Sequence, residues 1–172
     1  MVTYKRLNFC IQSCLYLSKY PDLELVLVGK LHQGGNTDRL IKDLNLSSRI
    51  SFVSGISTPA LVKMYAQATL VIVPSVYEGF GLPAGEAMSC GVAVVSTDGG
   101  ALPEIVGDSA MIVPTRDAKS LADAASKLLD EPNLREAMGK EAREHIKQCF
   151  SWEACAKNMT KYYEDVLVNA DH

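Results

Sequence analysis

The sequence predicts a doubly wound, Rossmann-like α/β domain, a parallel sheet in a three-layer α/β/α arrangement. Two observations predict it. Five short apolar runs, at 23–28, 50–53, 70–73, 92–96 and 111–113, lack the alternation of a strand with one wet face. Runs of that kind are buried on both faces, as in a parallel sheet covered by helices. Between them apolar residues recur at helical spacing, and such β-α alternation builds βαβ units. With 172 residues the chain fits one domain, so 1–172 is read as a single unit.

The elements follow in order. Residues 2–4 are either the remnant of a first strand or a sign that it is missing, because the first helical stripe begins by Leu7. Leu7, Ile11, Cys14, Leu15 and Leu17 predict a helix over 7–19. The run LELVLV, closed by Gly29, predicts the next strand, and Leu40, Ile41 and Leu44 predict a short helix after Asn36-Thr37. Thr58-Pro59 after the 50–53 strand predicts an N-cap with proline at the first helical position, opening a helix through Leu61, Tyr65 and Ala68. The 70–73 strand stops at Pro74, and Pro83 opens the following helix. The 92–96 strand leads into Gly99-Gly100 and a short helix. A helix entered at Asp117 carries Leu121, Ala125, Leu128 and Leu129. Two longer helices, at 134–149 and 152–168, end the pattern. Ser151 is the expected N-cap of the second, Trp152 is expected to pack it, and residues 169–172 are expected to fray.

Composition excludes several functions. A net charge of -3 offers no electrostatic support for a nucleic-acid partner. No apolar run approaches the ~20 residues of an integral membrane segment, and no signal-peptide zones appear. Cys10, Cys14, Cys90, Cys149 and Cys155 are odd in number and form no C-x-x-C pair. They are read as five small buried thiols in a reducing cytoplasm, with neither a disulfide framework nor a metal site.

The chemistry concentrates in the loop after the 70–73 strand, VIVPSVYEGFGLPAGEAMSC. Ligands of doubly wound sheets bind at the carboxyl ends of strands. Gly79 and Gly81 permit close backbone approach, and Leu82 before Pro83 supplies no capping oxygen. The first helical N–H groups and the helix dipole are then available to a phosphate. Glu78 and Glu86 suit neutral hydroxyls, to which a carboxylate makes charge-assisted hydrogen bonds. A ligand with central phosphates and a sugar at each end would use all three features. Each feature also has a purely structural explanation, and the residues alone do not identify the ligand.

The stretch PSVYEGFGLPAGEAM, with Glu78 and Glu86 bracketing Gly79-Phe80-Gly81-Leu82-Pro83, closely resembles the signature of the large retaining GT-B glycosyltransferase family. KRLNFCIQSCLYL, YPDLELVLVG, RISFVSG, GVAVVSTDGGALPEIVGDSAMIVP and FSWEACAKNMTKYYEDVL resemble the family's other stretches in order and spacing. What the resemblance covers is the family's C-terminal donor-binding domain. It implies that Glu78 contacts hydroxyls of the transferred sugar and that Glu86 binds the ribose. It implies that backbone amides from Phe80 to Leu82 hold phosphate or sugar oxygens, and that Ser54, Gly55 and Ile56 read the base edge through their backbone. Lys5 matches the lysine that neutralises the donor diphosphate. The family's arginine a few residues earlier has no counterpart, and Arg6 stands where glycine is common.

The resemblance further implies a nucleotide diphosphate sugar as donor, transfer of a hexose-type sugar with retention, and no metal or other cofactor, in keeping with the absence of a D-x-D motif. It implies an N-terminal acceptor-binding domain, in the full enzyme or as a partner chain. The chain alone is expected to bind donor weakly and transfer nothing, and to be cytoplasmic, any membrane association being carried by the missing domain. Other readings are a non-catalytic nucleotide-sugar-binding module, a GT-B epimerase or phosphorylase, and a flavodoxin-like signalling domain with Asp98 as its phosphorylated residue. His145, Tyr162 and Tyr163 are expected to be structural or superficial, and His32 and Gly34-Gly35 to lie in a rim loop.

Overall fold

The computed structural model describes residues 2–3 and 7–170. Among these residues, six parallel strands form one sheet: β1 (Val2–Thr3), β2 (Leu25–Val28), β3 (Ile50–Val53), β4 (Val71–Val73), β5 (Val94–Thr97) and β6 (Met111–Val113). Their order is β3-β2-β1-β4-β5-β6. That is the Rossmann order 3-2-1-4-5-6. The signalling-domain reading requires the flavodoxin order 2-1-3-4-5, so the sheet overturns it. A strand does stand at the start of the chain. β1 lies in the middle of the sheet, with Val2 opposite Leu27 on one side and Ile72 on the other.

Among the described residues, eight α-helices connect and cover the strands: α1 (Asn8–Tyr16), α2 (Asn36–Asp43), α3 (Thr58–Gln67), α4 (Leu82–Ser89), α5 (Leu102–Val106), α6 (Ala118–Asp130), α7 (Pro132–Phe150) and α8 (Trp152–Ala170). The sheet divides its side chains between two cores. Leu70 and Ile72 join Leu25, Leu27 and Val95 under α1, α2 and α6. Val71 and Val73 join Val94 under α3, α4, α5 and α7. The period of two along β4 therefore serves two apolar faces, which explains why its sequence shows no polar alternation.

Local chemistry sets several boundaries. Asp117 caps α6 by accepting from Ser120 N at 2.9 Å, and Ser151 caps α8 by accepting from Ala154 N at 3.1 Å. At α3 the expected cap is one residue off. Ser57 is the N-cap and makes no side-chain cap bond, while Thr58 is already helical. Two packing expectations are corrected. Trp152 does not pack its helix: it is 90% exposed. It sits at the first turn of a helix whose outward Tyr162, Tyr163, Leu167 and Val168 are exposed too. Nor are the five thiols all buried. Cys10 and Cys14 are, Cys90 is half-buried, and Cys149 and Cys155 are exposed. Burial holds the Cys10 and Cys14 thiols above their ordinary pKa, which makes them poor nucleophiles.

Candidate functional site

The strand order fixes where a ligand can sit. The chain leaves β1 toward β2 and leaves β4 toward β5, so β1 and β4 flank the point where the winding reverses. In doubly wound sheets, ligands bind at such a switch point, outside the carboxyl ends of the strands. The loop after β4 is the glycine-rich segment. Lys5, expected to neutralise the donor diphosphate, lies outside the described residues.

From β4 the chain passes through the buried Pro74 and Ser75 to the exposed Tyr77, then back to Glu78. The backbone of Glu78 is held by other main-chain groups. It forms a parallel bridge with Gly100; its N–H donates to Gly99 O at 3.4 Å, and its carbonyl accepts from Ala101 N at 2.9 Å. The pair Gly99-Gly100 serves this clamp. Gly100 has φ +65°, and a Cβ there would collide with the Glu78 carbonyl; one at Gly99 would collide with the Ser75 carbonyl. A close approach is thus required here, though it is to protein backbone.

Gly81 then turns the chain into α4 with φ +91°, a left-handed N-cap where a Cβ would meet Leu102 Cδ2 at 3.0 Å. No side chain caps this helix. Pro83 has no N–H to offer, and Ala84 N and Gly85 N are spent on Gly81 O at 3.0 and 3.2 Å. The N–H groups of Gly79, Phe80, Gly81 and Leu82 find no acceptor among the described residues. Together they form a row of main-chain donors at the positive end of a helix dipole, the arrangement that favours an anion.

Two carboxylates flank that row, each with one oxygen held by a buried hydroxyl. Ser75, fully buried, donates from its hydroxyl to Glu78 Oε1 at 2.6 Å. Thr97 in turn donates to the Ser75 carbonyl. Tyr65, on α3, donates from its phenol to Glu86 Oε2 at 3.1 Å. Glu78 is half-buried and Glu86 exposed. Sequence reasoning overlooked both donors. Ser75 stood in view inside the signature segment. Tyr65 was read only as part of an apolar stripe, although a phenol committed to a core needs a partner for its hydroxyl.

The remaining candidates fall in three groups. Ser54, Gly55 and Ile56 follow β3 at the same end of the sheet, with Gly55 at φ +68° and open space around it. β3 and β4 are three strand spacings apart, about 14 Å. His145 is structural: its Nε2 lies 3.0 Å from the Ile105 carbonyl, and its ring packs edge-on against Phe150. Tyr162 and Tyr163 are superficial, and His32 is exposed after β2. Asp98 accepts from Thr115 N at 2.7 Å and so ties the end of β5 to the chain after β6.

An open groove of about 740 Å³ adjoins the glycine loop, lined by Phe80, Leu82, Phe150, Trp152, Met159 and Tyr162 among others. A second cavity, about 400 Å³, opens at the far end of the sheet among Leu17, Leu25, Leu70 and Leu129. Its distance from the carboxyl ends of the strands separates it from the site described above. Among the described residues no three His, Cys, Asp or Glu side chains gather as a metal site, and no helix is long and apolar enough to cross a membrane.

The model of the family described as glycosyl transferases group 1 matches residues 1–145. Over 169 residues the chain is 35% identical to the MMP alpha-(1->4)-mannosyltransferase of Mycolicibacterium hassiacum, covering 96% of this chain and 41% of that protein. Among solved structures, the sucrose-phosphate synthase of Thermosynechococcus elongatus superimposes with a TM-score of 0.81 at 30% identity, over 98% of this chain and 45% of that one. The C-terminal domain of a glycosyl transferase group 1 family protein from Francisella tularensis gives a TM-score of 0.77 at 26% identity, over 88% of this chain and 84% of that one. The chain spans under half the length of the curated mannosyltransferase it matches.

Proposed function

The chain belongs to the glycosyl transferases group 1 family, and we propose that it is the donor-binding part of a retaining GT-B enzyme that moves a hexose-type sugar from a nucleotide diphosphate sugar to an acceptor. One observation carries this reading. At the switch point of a Rossmann sheet, the N–H groups of residues 79–82, which find no acceptor among the described residues, stand between Glu78 and Glu86 in the chain. The phosphates take the amides, Glu78 takes hydroxyls of the transferred sugar, and Glu86 takes the ribose diol. Ser54, Gly55 and Ile56 meet the base through their main chain. Backbone contacts of that kind leave the choice of base to the shape of the pocket.

In the proposed reaction the bond from the anomeric carbon to the diphosphate oxygen breaks. The acceptor hydroxyl bonds to that carbon with configuration retained and gives its proton to the departing diphosphate oxygen. Negative charge grows on the departing diphosphate, where the amides of Phe80, Gly81 and Leu82 and the ammonium of Lys5 stabilise it. No metal is assigned to this role. Glu78 is given sugar binding, not nucleophilic attack. An N-terminal domain or a partner chain supplies the acceptor site.

A titration tests this. UDP-, GDP- and ADP-sugars are added to the chain and its melting temperature followed, since a ligand of the native state raises apparent stability. At least one is expected to raise it. Glu86→Ala is expected to abolish the effect, and an unchanged affinity would remove Glu86 from the ribose site.

A further inference from the structure

We infer that Tyr65 is a positioning residue, a buried phenol that orients the Glu86 carboxylate so that one oxygen faces the ribose. The inference rests on the reading of Glu86 given above. Tyr65 is only 1% exposed and belongs to the core formed with Val71, Val73, Ala84, Ala87 and Met88. Its ring is therefore fixed by packing, and its hydroxyl points at one place. What occupies that place is the Oε2 atom of an exposed glutamate on the neighbouring helix, 3.1 Å away. The Glu86 carboxylate makes no other hydrogen bond among the described residues. One oxygen is thus committed to the core and the other left to solvent or ligand.

The physical consequence is pre-organisation. A free glutamate loses rotamer entropy when it grips a ligand. The phenol removes part of that loss before any ligand arrives, and it selects which oxygen is presented. The phenol holds its proton well above the usual tyrosine range, first because it is buried and then because the Glu86 charge opposes ionisation. Tyr65 therefore remains a donor at and above neutral pH. The same device recurs at the other end of the site, where buried Ser75 holds one oxygen of Glu78.

The test compares each nucleoside diphosphate (UDP, GDP and ADP) with its 2′-deoxy counterpart by calorimetric titration of wild type and Tyr65→Phe. Phenylalanine keeps the ring and the packing. A melting curve for each protein verifies that both are folded. Tyr65→Phe is expected to weaken the ribonucleotide about tenfold, to leave the deoxynucleotide within about twofold, and so to erase the preference for ribose. A Glu86→Gln background supplies a second measurement: there the Tyr65→Phe effect is expected to shrink, because coupled residues are not additive. Equal weakening of both ligands would make Tyr65 a merely structural residue, and no change in either would also overturn the inference. If wild type binds none of the three ribonucleotides, the donor-binding reading itself fails, and this inference with it.

Discussion

Glu78 shows how little a side chain's identity says about where it stands. The sequence singled out this residue, but its position depends on Gly99 and Gly100, some twenty residues further on, whose lack of Cβ atoms admits the Ser75–Glu78 backbone. Gly100→Ala is expected to cost about 1–3 kcal/mol, because it strains a φ of +65° and drives a methyl group into the Glu78 carbonyl. It is also expected to weaken donor binding by displacing the carboxylate. A denaturant midpoint paired with a nucleotide-sugar titration measures both effects; an unchanged midpoint would mean the clamp yields without cost. Tyr65 makes the opposite point. Its spacing placed it in an apolar stripe, which is where it lies, but spacing does not report where a hydroxyl ends up. Only the meeting of α3 with α4 puts Glu86 opposite it.

At the level of elements, two glycines in helices should respond to the same substitution with opposite sign. Glycine inside a helix costs about 1 kcal/mol relative to alanine, so propensity alone favours replacement at either site. At Gly85 in α4 an added Cβ meets only Ile105 and Ile146, each at 4.0 Å. Gly85→Ala is expected to stabilise by about 0.5–1 kcal/mol. At Gly139 in α7 the same Cβ would collide with the Gly91 carbonyl in the turn before β5. Gly139→Ala is expected to destabilise by about 1–3 kcal/mol, since backbone cannot move aside as a side chain can. Chemical denaturation of the two variants decides it. Two equal and favourable changes would show that α7 is free to shift off the β5 turn. Helix boundaries divide along similar lines. Asp117 and Ser151 are caps that the sequence declares, because the capping oxygen is their own. The start of α4 is set by Gly81 in a left-handed conformation packed on Leu102, a neighbour from the next helix.

Over the whole molecule, the least expected feature is α8. Trp152, read from sequence as packing this helix, is 90% exposed beside the groove that adjoins the glycine loop. It is the single tryptophan of the chain and therefore an unambiguous probe. Its fluorescence is expected to resemble the free amino acid in water and to be quenched readily by acrylamide. Any domain or chain that covers the α8 face should shift the emission to the blue; a blue, protected tryptophan in this chain alone would contradict the exposed helix. The amphipathic pattern of 152–168 told that a helix exists but not what lies against it, because a stripe of apolar residues is the same whether its partner is present or not. The sequence by itself determined the α/β class, the positions of most strands and helices, and the segment from Ser75 to Glu86, since burial on both faces and glycine-proline punctuation are written locally. The tertiary structure alone decided the strand order that makes β1 and β4 a switch point, the clamp of Gly99-Gly100 on Glu78, and the hold of Tyr65 on Glu86. Each of these joins residues far apart in the chain, and their contact depends on how sheets and helices stack in space, which no local pattern records.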